Sequence, residues 1–236
     1  MACLIVVACA ICGQGSRAGA TGASKGGVLA KSRPVVYLAL GDSTGVGVGA
    51  GHGGYAARLY SRIERERPGS RLVNLCATGA ATADLLGVQV ERAGEARPTL
   101  VTVGVGANDL IRGVTAEQFA RNFEEVVVGL RRQTDAPVVV MNIPDMSLAP
   151  AVPAYMRESA RRHIRIFNER IAEVAGRYGL PVVDLFGRST EFSSHPEFFS
   201  SDGLHPSDAG YEYWAGLLWP YAEKMLGERR RLRNYL

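Results

Sequence analysis

Five short, continuously apolar runs, Val35 to Leu40, Leu72 to Cys76, Leu100 to Val105, Val138 to Asn142 and Val182 to Leu185, alternate with longer amphipathic stretches. No other feature limits the fold of this chain so much. A strand that is apolar on both sides must be covered on both sides, and neighbouring parallel strands need a crossover, usually a helix. The alternation therefore predicts βαβ units around a parallel sheet, in a three-layer α/β/α sandwich of about five strands. The helix candidates are Tyr55 to Arg67, Thr82 to Ala93, Ala116 to Gln133, Tyr155 to Tyr178 and Ser207 to Leu226. Thr115 before "AEQF" and Ser207 before "DAGY" read as N-caps. Pro98, Pro137 and Pro181 stand just before strands, where a helix cannot continue.

At 236 residues, 47% hydrophobic and 21% charged, the chain suits one globular domain with a short extra segment. The net charge is only +4, and arginines spread over several helices do not form a basic stripe, so nucleic acid is not an expected partner. Residues 1–33 differ in composition from the rest: an apolar run passes into Gly, Ala and Ser. This resembles a secretory h-region and linker, without a basic n-region and too short for a membrane span. Val6-Val7-Ala8-Cys9 resembles a bacterial lipobox, which makes Cys9 a candidate lipid anchor. Export is the expectation, as a periplasmic, extracellular or lipid-anchored protein, with a cytoplasmic protein bearing a disordered or misassigned start as the alternative. Cys3, Cys9 and Cys12 all fall in this segment, leaving Cys76 as a core-filling thiol in the body. No Cys/His spacing suits zinc, and neither metal nor cofactor is expected. The domain proper is read as 34–226, and 227–236, "GERRRLRNYL", as a solvated tail or a contact with an anionic membrane surface.

The stretch "VVYLALGDSTGVGVGAGHGG", Val35 to Gly54, admits two chemistries. Gly49 to Gly54 fits the dinucleotide pattern G-x-G-x-x-G, but it starts several residues after the strand. The following strand ends in no acid, and a Walker lysine is missing. Gly41-Asp42-Ser43-Thr44-Gly45 fits the nucleophile elbow G-x-S-x-G, yet an α/β-hydrolase builds several strands before its serine. A serine alone in a glycine-rich turn is by default a matter of backbone geometry, and only partners change that. Ser201-Asp202-Gly203-Leu204-His205-Pro206 supplies them. His205 is the candidate base, and Asp202 the acid that holds its tautomer. His52, His163 and His195 fit worse, as surface or hydrogen-bonded residues. Gly79 in "CATGAAT" and Asn108 in "GVGAND" can present a backbone N–H and an amide to a developing oxyanion. Singly each is a turn residue; together, at successive strand ends, they suggest a site. Asp42, Asp109 and Asp184 are read as turn and hydrogen-bonding residues.

Ser43 in "GDS", Gly79 in "CATGA", Asn108 in "GAND" and Asp202/His205 in "DGLHP" resemble, in order and rough spacing, the four blocks of the SGNH hydrolases, or GDSL esterases and lipases. The resemblance spans Val35 to about Leu226 and departs only in reading GDST for GDSL, which keeps the nucleophile. It implies a flavodoxin-like sandwich and metal-free hydrolysis of esters or thioesters, on the lysophospholipase and thioesterase-like branch. The expected function is a serine esterase acting on lipid or small-molecule esters. Ser43 would be the nucleophile, His205 the base and Asp202 its orienting acid, with Ser43 N–H, Gly79 N–H and Asn108 as the oxyanion hole. An acyltransferase using the same Ser43 and His205, and a non-catalytic binding module, are the alternatives. Ile143, Met146, Leu148, Val152, Tyr155, Met156, Phe192, Phe198 and Phe199 either line an acyl pocket or seal their loops onto the core. The run "TGVGVGAGHGG" is expected to be a flexible wall beside Ser43 whose small residues leave room for substrate.

Overall fold

The computed structural model describes residues 33–233. The signal-like segment with its three cysteines, Cys9 among them, lies outside the described residues. Five strands, β1 (Val36–Gly41), β2 (Arg71–Asn74), β3 (Leu100–Gly104), β4 (Val138–Met141) and β5 (Val182–Val183), form one parallel sheet in the order β2-β1-β3-β4-β5. Between them come α1 (Ser43–Val46), α2 (Tyr55–Glu66), a composite helix α3 (82–93), α4 (Ala107–Ile111), α5 (Ala116–Gln133), α6 (Ala154–Arg177), α7 (Ser189–Ser193) and α8 (Asp208–Arg233). The α/β/α sandwich and its parallel sheet agree with the periodicity of the sequence.

The pleat of β1 sorts the layers. Leu38 and Leu40 point into a core shared with α3, α5 and α6, including Phe119, Phe123, Ile164 and Phe167. Tyr37 and Ala39 point the other way, onto Tyr55, Leu59 and Ile63 of α2 and Tyr211, Trp214 and Leu218 of α8. Burial of one such large side chain is worth about 1.5–3 kcal/mol, so a strand covered on both faces contributes from every position. The Thr115 cap is in place, its hydroxyl accepting from Gln118 N–H at 3.2 Å. Ser207 Oγ likewise accepts from Gly210 N–H at the head of α8, at 3.3 Å.

Several helices depart from the periodic reading, and α8 runs on to Arg233, into the stretch 227–236 read as a tail. The stretch from Thr82 to Ala93 is not one α-helix: Thr82–Asp84 passes into a π-turn, Leu85–Gln89, before Val90–Ala93, and these pieces together are α3. The wider turn carries the Gln89 amide inward, where it meets β1. The helices α1 and α4 are too short to show a hydrophobic period, and each begins where a strand has just ended. The strand order reverses direction between β1 and β3, and the crevice at the carboxyl ends of that pair is where open α/β sheets place ligands. Among the described residues, no helix is long and apolar enough to cross a membrane, and no three His, Cys, Asp or Glu side chains are grouped to hold a metal ion.

Candidate active site

β1 ends on Gly41, which stands beside Gly104 of β3. A Cβ on Gly41 would lie 2.3 Å from the Gly104 carbonyl oxygen, and its φ of +154° is unsuited to a side chain, so only glycine lets the two strand ends close up. Buried Asp42 follows and caps α1, its Oδ1 accepting from Thr44 N–H at 2.9 Å and Thr44 Oγ1 at 2.8 Å. The Asx-type turn sets Ser43 at the first position of α1, where the early N–H groups of a helix lack intrahelical acceptors.

Gln89, which sequence reasoning passed over, holds this turn from behind. Its Oε1 accepts from Gly41 N–H at 2.8 Å and its Nε2 donates to Gly41 C=O at 2.9 Å, all three groups being buried. A buried amide with both ends committed to one backbone residue is not visible to periodicity. Gln89→Leu would leave the Gly41 N–H without an acceptor and lower the unfolding free energy by about 1–3 kcal/mol, measured by urea denaturation.

Ser43 Oγ lies 3.0 Å from His205 Nε2, and His205 Nδ1 lies 2.7 Å from Asp202 Oδ2. The D-x-x-H segment is a closed turn. Asp202 Oδ1 accepts from Ser200 Oγ at 2.8 Å, Leu204 N–H at 2.8 Å and His205 N–H at 2.9 Å, while Gly203 takes a φ of +68°. With the proton on Nδ1, the tautomer that a facing carboxylate favours, Nε2 turns its lone pair to the serine hydroxyl. Desolvation pushes the Asp202 carboxyl upward, but hydrogen bonds from Leu204 N–H, the His205 ring, His205 N–H and Ser200 more than offset it, holding the group well below the usual carboxylate range.

Of the two expected oxyanion residues after β2 and β3, Asn108 lines the same cavity as Ser43 and His205, whereas Gly79 does not line it and is tied to Asn108 only through its neighbour Ala80. Asn108 is the second residue of α4, and its Nδ2 donates to Ala80 C=O at 3.0 Å, leaving its second amide hydrogen available. Gly79 sits in the turn after β2 at a φ of +78°, with its C=O taking a bond from Arg112 at 2.6 Å. Asp109 ties the two turns together, accepting from Thr82 N–H at 3.0 Å and Thr82 Oγ1 at 2.5 Å. Asp184 accepts from Asn142 at 2.7 Å and Gly187 N–H at 2.8 Å, so it and Asp109 act as hydrogen-bonding residues. Burial raises the carboxyls of Asp42 and Asp109 above the usual range, each opposed by bonds from Thr44 and Thr82 respectively. The Cys76 thiol packs against Gly45 and is pushed up to about 12 by desolvation and then by the charge of Asp42, so it remains a protonated filler.

Ser43, Asn108 and His205 open into a cavity of about 150 Å³, lined by Ile143, Met146, Leu148, Phe192 and Phe199 of the expected apolar set. Trp214 of α8 and Asp145 also line it, and neither was marked by a motif. Asp145 is buried, accepts at Oδ1 from the N–H and hydroxyl of Ser147, and faces Arg161 Nε at 3.1 Å. The remaining members of the expected pocket fall elsewhere. Val152, Tyr155 and Met156 line a separate groove of about 780 Å³, which shares Ile111, Met146 and Leu204 with the cavity. Phe198 lines neither and stacks on His195, with ring centroids 4.7 Å apart. Periodicity cannot divide these residues, because they come from separate segments, the loop after β4, the first turn of α6 and the stretch from α7 to Phe199, which only packing brings together.

The glycine run is not a flexible wall with room for substrate. Beyond Thr44 none of its residues lines the cavity. A Cβ on Gly45 would lie 2.2 Å from Cys76 Sγ, and one on Gly47 would lie 2.2 Å from Gly54 N. The small residues make room for packed backbone instead.

A hydroxyl, imidazole and carboxylate in line at the switch point of a parallel sheet agree with what a comparison of families finds: residues 39–213 match the GDSL-like lipase/acylhydrolase family. The chain belongs to that family. As a GDSL-family member it is an ester hydrolase. Esterase TesA of Pseudomonas aeruginosa is 25% identical over 190 residues, 80% of this chain and 88% of that protein. The crystal structure of TesA superposes with a TM-score of 0.67 at 24% identity, over 80% of this chain and 98% of the other. A catalytic mutant of Axe2, an acetylxylan esterase from Geobacillus stearothermophilus, gives a TM-score of 0.66 at 19% identity, over 79% and 93% of the two chains. Both structures share the fold of this chain.

Proposed function

We propose that the protein is a serine esterase that works through an acyl-enzyme on Ser43. Ser43 Oγ attacks the ester carbonyl while His205 Nε2 takes its proton, and the alkoxide leaving group takes that proton back as the tetrahedral intermediate collapses. Water, deprotonated by the same nitrogen, then attacks the acyl group, releasing the carboxylic acid and the Ser43 hydroxyl. Asp202 keeps the imidazole oriented and stabilises its cation. Ser43 N–H, Gly79 N–H and the free amide hydrogen of Asn108 are the donors assigned to the oxyanion, where loss of one donor costs about 10² to 10³ in rate. The observation that carries this reading is the contact series Ser43 Oγ to His205 Nε2 at 3.0 Å and His205 Nδ1 to Asp202 Oδ2 at 2.7 Å.

The surroundings support an apolar ester. The lining of the cavity includes Asp42 and Asp145 but no lysine or arginine among its described residues, so an anionic group next to the scissile bond meets no cation. A cavity of about 150 Å³ accepts a guest the size of benzene. The adjoining groove, at about 780 Å³, falls within the range of sites for larger ligands and has no charged residue among its described lining. Acyl esters such as lipids or acylated small molecules fit that pair of spaces.

The test is release of p-nitrophenol from acetyl, butyryl, octanoyl and dodecanoyl esters. Turnover is expected on all of them, with kcat/KM rising along the series by up to about fourfold per methylene, the equivalent of ~0.8 kcal/mol per buried CH₂. Met156→Asp, at the groove, would flatten the rise for the longer chains while leaving acetyl turnover unchanged. A flat profile in the wild type would overturn the apolar-substrate assignment, and no turnover at any length by folded protein would overturn the esterase.

A further inference from the structure

The run Val48 to Gly53 lies outside the cavity, yet it touches the segment that carries Asp202 and His205 at every turn. Gly51 N–H and His52 N–H donate to the two oxygens of Asp208, at 3.1 and 3.0 Å. Asp208 opens α8, just after His205 in the chain. Arg58 of α2 reaches the same carboxylate, and Arg62 bonds Glu212 one turn further on at 2.6 Å. Buried Tyr211 donates its hydroxyl to Val48 C=O at 2.8 Å. At Gly49, with φ +91°, a Cβ would lie 2.7 Å from Ser200 Oγ and 2.9 Å from Pro206 C=O. Ser200 Oγ is itself one of the donors to Asp202.

We propose that the glycine run is the seat on which the acid–base loop is registered against the nucleophile, with Asp208 as a positioning residue for the ester hydrolysis proposed above, on which this inference rests. One end of the run is continuous with α1 and Ser43; the seam described here fixes the other segment to it. The distance from Ser43 Oγ to His205 Nε2 is set through this seam, because the two residues belong to segments joined only by tertiary contact. Misplacement of a reacting group by about 1 Å costs about 10²-fold in rate, so a loosened seam shows in turnover before it shows in binding.

The experiment measures kcat and KM for p-nitrophenyl butyrate, per folded molecule and well below Tm, in the wild type, Asp208→Ala, Asp208→Asn and Val126→Ala. Asp208→Ala is expected to lower kcat by about 10²-fold at unchanged KM, and Asp208→Asn, which keeps one acceptor oxygen, to recover part of the loss. Val126→Ala, a core truncation in α5 remote from the seam, supplies a comparable loss of Tm with wild-type kcat. If Asp208→Ala does not fold, Tyr211→Phe tests the same seam by removing only the hydroxyl on Val48 C=O, and its kcat is expected to fall at unchanged KM. The inference is overturned if the seam variant keeps kcat within about twofold of the wild type, if KM rises instead, or if Val126→Ala loses as much. Failure of the esterase reading is a separate result, since it appears as an inactive wild type or a fully active Ser43→Ala.

Discussion

Alanine at Ser43 will remove ester hydrolysis while leaving the protein folded. Ser43 Oγ has His205 Nε2 as its partner, and the turn that presents it is held by the backbone of Gly41 and the side chain of Asp42, so the hydroxyl contributes little to stability. On the proposed mechanism the variant can form no acyl-enzyme, and kcat should fall by a factor on the order of 10⁶, with any remaining rate coming from the oxyanion donors and substrate binding. KM should change little, because the cavity wall is intact. The measurements are p-nitrophenol release and the mass shift after an alkyl phosphonate ester, which should mark Ser43 in the wild type and nothing in the variant. Equal hydrolysis by both proteins would remove Ser43 from the mechanism.

Asp202→Asn tests the other end of the hydrogen-bonded series and has a signature in pH. An asparagine keeps an acceptor for the turn donors Ser200 Oγ, Leu204 N–H and His205 N–H, but it presents an NH₂ group to His205 Nδ1 if the turn is preserved. That favours the tautomer with the proton on Nε2, facing the serine, and kcat should fall by about 10⁴-fold with the geometry retained. In the wild type the Asp202 carboxyl is held below the usual range, so it stays ionised throughout the region where histidines titrate. On the proposed mechanism the rate falls at acid pH, because a protonated base cannot take the serine proton. Stability follows the sign of the shift. A depressed carboxyl pKa stabilises the fold above its unfolded value, about 3.9, and that contribution is lost as pH falls through the folded value. Asp202→Asn should therefore lower Tm at neutral pH, and the difference should shrink below about pH 4. A difference in Tm that grows toward acid would contradict this account.

Much of the site was legible because its chemistry rests on residue types that turns and strand ends place at short range. Asp202 and His205 hold each other through a local turn, so their spacing carries meaning without a fold. Asn108 and Gly79 were readable as strand-end residues, and the apolar runs announced where those ends are. Gln89 was not readable, since it acts on Gly41 through a π-turn that no periodic pattern marks. Trp214 was hidden for a related reason: it belongs to the core side of α8 and reaches the cavity because that helix packs on the same face of the sheet as Met141, Leu185 and Phe192, which also line it. The expected apolar set did not stay together: part of it lines the cavity, Val152, Tyr155 and Met156 line the groove, and Phe198 lines neither, a division decided by which segments pack side by side. For the glycine run the error was one of kind. Glycine permits open, mobile chain and it also permits close approach of backbone to backbone, and composition does not distinguish them.

The amino-acid sequence by itself determined the parallel α/β architecture, because alternating apolar and amphipathic segments leave few other ways to bury strands on both faces. It also determined the chemistry on offer, since a hydroxyl, an imidazole and a carboxylate at strand and loop ends are properties of residues. Tertiary structure alone decided that these groups meet. The distance between Ser43 and His205 depends on the strand order that brings β1 beside β3, on Gly41 allowing that approach, and on α8 being anchored by Asp208 and Tyr211 to the backbone after Ser43. Those contacts join residues far apart in the chain, and their geometry arises from packing, which local preferences do not encode.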